Sequence, residues 1–147
     1  NMSREDLIKD CKKHAMQNQS GYTAPNPLAK SEINELFANS LNVQGKGKVI
    51  VLDDIDFNSA NSVYASGISL DRIVVPNNDP LKNDKMSEDK VFGKCVVKCS
   101  LQELLDGYNE EICGVYADLM GQEFYILDSI KKCNLGKGCI IGFTVSA

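Results

Sequence analysis

The sequence predicts an α/β domain on a mostly parallel sheet of about five strands, with flanking helices and one or two helices ahead of it. Three observations carry this. Strand-like and helix-like stretches alternate, the rhythm of βαβ units with right-handed crossovers. The run Val49-Ile50-Val51-Leu52 is apolar without a break, the mark of a strand covered on both faces. The chain has 147 residues, 43% of them hydrophobic and 24% charged, which is one globular domain large enough to bury a core.

Residues 3–18 place Leu7, Ile8, Cys11, Ala15 and Met16 on one helical stripe, with Ser3 as N-cap. Gly21, Pro25 and Pro27 make 17–27 a loop. A second helix, Ser31 to Leu41, carries Ile33, Leu36, Phe37 and Leu41 on one face. Gly45-Lys46-Gly47 is a turn, and the first strand, 48–52, ends in Asp53-Asp54. A short helix over 58–66 is closed by Gly67. The second strand, 72–75, is halted by Pro76-Asn77-Asn78. Polar residues 79–90 form a loop or an exposed short helix, and Lys94 to Cys99 is the third strand. Ser100 caps a helix over 101–108, with Glu103 completing a capping box. The fourth strand, 112–117, ends at Asp118; a helix over 122–133, a turn at Gly136 and Gly138, and a strand over 139–145 follow.

Composition narrows the function. The chain has 16 Lys and Arg against 20 Asp and Glu, a net charge of -4, and a pI of about 5.0. That opposes a strongly electrostatic nucleic-acid binder and leaves a local patch over Lys82, Lys85, Lys90, Lys94 and Lys98. No apolar run approaches the roughly 20 residues of a membrane helix, and Asn1 to Lys13 is polar and charged, unlike a signal peptide. A cytoplasmic protein with no membrane contact is the expectation. The six cysteines read as reduced thiols. Cys95 and Cys99, four apart in a strand, read as buried thiols sharing a face more than as zinc ligands. His14, the single histidine, falls in the polar N-terminal helix, so a hydrolase triad has little support.

In a parallel sheet, ligands bind beyond the carboxyl ends of the strands. Those ends read Asp53-Asp54-Ile55-Asp56, Asn77-Asn78-Asp79, Cys99-Ser100 and Asp118-Leu119-Met120-Gly121. Carboxylates and amides of this kind suit hydroxyls, amines or a cationic centre. Neither Gly-x-x-x-x-Gly-Lys-Ser nor Gly-x-Gly-x-x-Gly occurs, so a phosphate cradle is not indicated; Lys46 reads as a turn lysine.

Three pieces resemble the S-adenosylmethionine-dependent methyltransferases of Rossmann-like fold. Ser20-Gly21-Tyr22-Thr23-Ala24-Pro25-Asn26-Pro27 is similar to the loop that precedes the first strand in many nucleic-acid methyltransferases. Val49 to Asp54, with Arg72 to Asn78 after a helix, resembles the first two strands. Tyr116-Ala117-Asp118-Leu119 and Gly138 to Thr144 resemble the fourth and fifth. The resemblance covers about residues 20–146. It implies S-adenosylmethionine as cofactor. Tyr22 would close the pocket, Asp53 or Asp54 would face the methionine amine, and Asn77, Asn78 or Asp79 would take the ribose hydroxyls. Ser100 and Leu101 would border the adenine, and Asp118 would stand beside the transferred methyl as the catalytic acid or base. It leaves DNA, RNA, protein and small molecules open as acceptor, with the loop around Tyr22 favouring nucleic acid. Residues 1–44 would be N-terminal helices and a cofactor-lid loop, and 45–147 the α/β core. The sequence departs from the family in two places. Asp53-Asp54-Ile55-Asp56-Phe57 replaces the glycine-rich loop, with Ile55 and Phe57 expected to crowd a cofactor, and no Asn-Pro-Pro-aromatic motif follows the fourth strand. A pseudoenzyme that binds the cofactor also fits these departures.

Two other classes compete. A receiver-like phospho-acceptor would use Asp53-Asp54 and Asp118 to hold Mg²⁺ and Thr144 as its switch. A non-catalytic interaction module would use the sheet as scaffold. Methyltransferases of this fold usually carry two further strands, so the expectation is either a domain truncated at its C-terminus or a partner or second copy completing the sheet.

Overall fold

The computed structural model describes residues 27–120 and 125–146. Among the described residues, the elements in chain order are α1 (Pro27–Ser40), β1 (Lys48–Val51), α2 (Asn58–Ala65), β2 (Ile73–Pro76), α3 (Pro80–Ser87), β3 (Val96–Val97), α4 (Leu101–Leu105), β4 (Ile112–Met120), α5 (Ile126–Lys131) and β5 (Leu135–Ser146). The strands form one parallel sheet in the order β3-β2-β1-β4-β5. The fold is α/β and Rossmann-like. The direction of winding reverses between β1 and β4, the switch point at which such sheets bind ligands.

Both faces of the sheet are buried, which explains the unbroken run in β1. Alternate residues point to opposite sides. Val49, Val51, Ile73 and Val75 pack with Phe37, Leu41, Val63 and Met86 on one face. Ile50, Ile112, Val115 and Ile141 pack with Leu101, Leu105, Ile126 and Ile130 on the other. Gly114 allows α1 to sit close on β4: a Cβ there would lie 2.5 Å from Leu41 Cδ2.

Arg72, only 7% exposed, fastens the chain ahead of β1. Its guanidinium donates to the carbonyls of Gly47 (2.9 Å), Val43 (3.0 Å) and Asn42 (3.0 Å). It thereby pairs the buried Gly47 carbonyl and two carbonyls nearer the surface.

Several boundaries differ from the sequence reading. The third strand is two residues long, because Gly93–Cys95 is a 3₁₀ turn and Cys99 lies beyond the ladder. Cys95 and Cys99 therefore share no strand face; the Cys95 thiol donates to the Leu70 carbonyl at 3.4 Å. Residues 80–87 are a helix, capped by Asp79, which accepts from the N–H groups of Leu81 and Lys82. The fourth strand runs on to Met120, because a long β5 pairs it: Asp118 stands opposite Thr144 and Met120 opposite Ser146. Asp118 thus lies inside the strand, two residues before its end. The helix at 58–65 ends as read, with Gly67 at φ 107°, a conformation open to glycine. The helix expected over 3–18 and the loop bearing Tyr22 fall outside the described residues.

Candidate functional site

A cleft of about 390 Å³ opens at the carboxyl ends of β1, β2 and β3 and reaches the start of α5. Asp53, Asn77, Asn78, Ser100 and Leu101 line it together with Leu52, Pro76, Cys99, Gln102, Tyr125 and Ile126. Five of the residues read from the sequence as cofactor contacts therefore converge on one cavity. Four more stand elsewhere or lie outside what is described, Asp79 among them as the cap of α3. Asp54 points away and its carboxylate pairs with Lys82 at 2.9 Å. That pairing, with the Ile55 N–H at 2.7 Å, holds Asp54 below the usual carboxylate range. The side chain of Asp118 and all of Tyr22 lie outside the described residues.

Asp53 is the most constrained group of the cleft. One of its oxygens accepts from the Ser59 N–H at 2.9 Å, the other from the Ala60 N–H at 2.7 Å. These belong to the first turn of α2, where anions are favoured. Burial pushes the Asp53 carboxyl up to about 6, and the two N–H groups work against that rise. At neutral pH the group is chiefly ionised. It occupies the helix N-terminus that cradles phosphate in dinucleotide-binding sheets.

The two asparagines divide their roles. Asn77 Nδ2 donates to the Asp53 carbonyl at 3.3 Å, and its Oδ1 accepts from the Asp79 N–H at 2.9 Å. Its carbonyl accepts from buried Asn83 Nδ2 at 3.0 Å. Asn77 thus ties the loop after β1 to the loop after β2. Asn78 is exposed and lies on the rim of the cleft. Ser100 Oγ accepts from the Glu103 N–H at 3.1 Å and the Glu103 carboxylate accepts from the Ser100 N–H at 3.1 Å, the expected capping box. The Ser100 backbone and hydroxyl together hold the Glu103 carboxyl below its usual range.

The bulky residues Ile55 and Phe57 after β1 leave the cleft open. Phe57 takes a left-handed conformation, φ 50° and ψ 40°, that a bulky side chain rarely adopts. It turns into the core, its ring 5.3 Å from that of Phe92. Ile55 is exposed and does not line the cleft.

Sequence reasoning missed Leu52, Pro76, Gln102, Tyr125 and Ile126 as lining residues. The Ser100 cap was the available pointer to Gln102, since a capped helix after a strand end places its first turn at the ligand edge.

A second cleft, of about 460 Å³, lies at the opposite edge of the sheet, among Lys48, Leu70, Asp71, Ile73, Val74 and Lys94. Lys48 Nζ donates there to the Asp71 carbonyl at 2.6 Å. Of the lysines read as a basic patch, Lys82 is paired with Asp54 and Lys98 with Asp84. No described helix is long and apolar enough to cross a membrane. Compared with protein-family models, with curated proteins and with solved structures, the chain matches none.

Proposed function

We propose that the cleft binds S-adenosylmethionine and that the chain is a methyltransferase-like protein acting on nucleic acid. One observation carries the choice of ligand. Asp53 already takes the Ser59 and Ala60 N–H groups of α2, the groups a cofactor's pyrophosphate would need. A phosphate would also meet the Asp53 charge. A ligand carrying a cationic centre and hydroxyls gains from the same carboxylate.

The residues present fit that ligand. Asp53 attracts its ammonium or sulfonium charge, Asn78 and the Ser100 hydroxyl serve its ribose hydroxyls, and Leu101, Pro76 and Ile126 give apolar walls for its base. S-adenosylmethionine supplies an activated methyl group on sulfur; the chain's part is to hold and orient it. Asp118, in β4 beside β1, is the residue proposed to orient the acceptor or take its proton.

The receiver-like reading needs the Asp53-Asp54 pair free to hold a cation. Asp53 instead caps α2 and Asp54 pairs with Lys82.

Thermal denaturation tests the proposal. S-adenosylmethionine or S-adenosylhomocysteine raises the melting temperature, a hundredfold excess over Kd giving about 2.7 kcal/mol; ATP and NAD do not. No shift at millimolar S-adenosylhomocysteine overturns it.

A further inference from the structure

The second cleft lies at the amino ends of β1, β2 and β3, at the opposite edge of the sheet from the strand-end site. Its volume of about 460 Å³ falls in the range of small-molecule sites, and it follows their pattern of apolar walls with a few polar groups. Leu70, Ile73, Val91 and Val97 supply the apolar surface. Val91 and Val97 are 48% and 38% exposed, so this apolar wall is open to a ligand. The 3₁₀ turn Leu70–Arg72 forms one side and is pinned by three donors. The Cys95 thiol donates to the Leu70 carbonyl at 3.4 Å, Lys48 Nζ donates to the Asp71 carbonyl at 2.6 Å, and Arg72 reaches back to the Gly47 carbonyl. That side of the cleft is formed before any ligand arrives.

Lys48 and Lys94 both line this cleft, and neither forms an ion pair. Among the described residues the ion pairs are Lys82 with Asp54 and Lys98 with Asp84. Lys48 gives one of its three N–H donors to the Asp71 carbonyl, and Lys94 gives none to any described group. The one carboxylate on the cleft, Asp71, accepts from the Ser69 hydroxyl. Two cations against one anion leave the cleft positive on a chain whose net charge is -4. We propose that this cleft binds a small carboxylic acid with an aliphatic tail. Lys48 and Lys94 draw its carboxylate, and Leu70, Ile73, Val91 and Val97 take its tail. A compact polyphosphate would leave the apolar walls uncovered, and a neutral lipid would leave both ammonium groups without an anion. The site is separate from the strand-end cleft and does not rest on the adenosyl reading.

Backbone amide resonances of the full chain, titrated with octanoate below its micelle-forming range, test this, with octanol and acetate as controls. Octanoate is expected to shift Lys48, Asp71, Ile73, Lys94 and Val97 saturably and to leave Asn77 and Asn78 in place. Octanol has the same tail without the charge and is expected to bind about tenfold more weakly or less, the scale of a hydrogen bond to a charged group. Acetate has the charge without the tail and is expected not to saturate. The double variant Lys48→Met, Lys94→Met keeps the apolar stems, and its octanoate affinity is expected to fall to that of octanol. Octanol or acetate binding wild type as tightly as octanoate overturns the proposal without any variant. Octanoate affinity unchanged in the double variant also overturns it. So does the absence of saturable shifts at these amides, or shifts gathered at the strand-end cleft instead.

Discussion

The Asp53 carboxylate stands on the cleft wall while its two oxygens hold the first turn of α2. Its raised pKa fixes the sign of a pH effect. Folding favours the protonated form, so the contribution to stability is complete below about 4, the unfolded value, and is lost as pH rises through about 6. Asp54 and Glu103, held low by their partners, act in the opposite sense in the acid range. The difference between wild type and Asp53→Asn isolates the first effect. Chemical denaturation from pH about 4 to 7 is expected to show wild type losing stability relative to Asp53→Asn. Affinity for S-adenosylmethionine should rise over the same interval in wild type and stay flat in the variant, as read by titration. Arg72 gives a second prediction. Arg72→Met leaves the carbonyls of Asn42, Val43 and Gly47 without their donor, and urea denaturation is expected to show a loss of about 2–4 kcal/mol. Asp53 was legible in the sequence because an acid after an apolar strand marks the ligand edge. Arg72 was not, because its partners are backbone carbonyls some 25–30 residues away that carry no sequence signal.

Among the elements, β1, β2 and the capped helix after Ser100 stood out in the sequence because local rules set them: an apolar run, a proline stop, a capping box. The elements that were misjudged depend on neighbours. β3 is cut to Val96–Val97 by a 3₁₀ turn, and β4 is lengthened by its ladder with β5, which no local window contains. The loop at 53–57 shows the same dependence. Phe57 adopts its left-handed conformation, a cost of roughly 1–2 kcal/mol, because its ring is buried against Phe92. Helix α1 meets the sheet at Gly114, where a methyl group would press on Leu41 and Phe37. Gly114→Ala is therefore expected to cost about 1–3 kcal/mol. Truncating Leu41 makes room for that methyl. The double variant Gly114→Ala with Leu41→Ala should be destabilised by less than the sum of the single changes, the coupling being read from a double-mutant cycle.

At the scale of the molecule, the sheet order β3-β2-β1-β4-β5 brings the ends of three strands and the starts of two helices to one edge. Residues far apart in sequence, from Leu52 to Ile126, meet there because all five strands are parallel and end on the same side. The rhythm of strands and helices made that edge legible. Which side chains remain available to a ligand was not, since it depends on hydrogen bonds formed after folding: Asn77 is engaged and Asn78 is at the rim. The central claim is that this edge, and not the larger cleft around Lys48 and Lys94, holds an adenosyl ligand. Backbone amide resonances of the full chain, titrated with S-adenosylhomocysteine near neutral pH, test it directly. Shifts are predicted at Asp53, Asn77, Asn78 and Cys99 through Gln102. Absence of shifts, or shifts gathered at Lys48, Asp71 and Lys94, would contradict it.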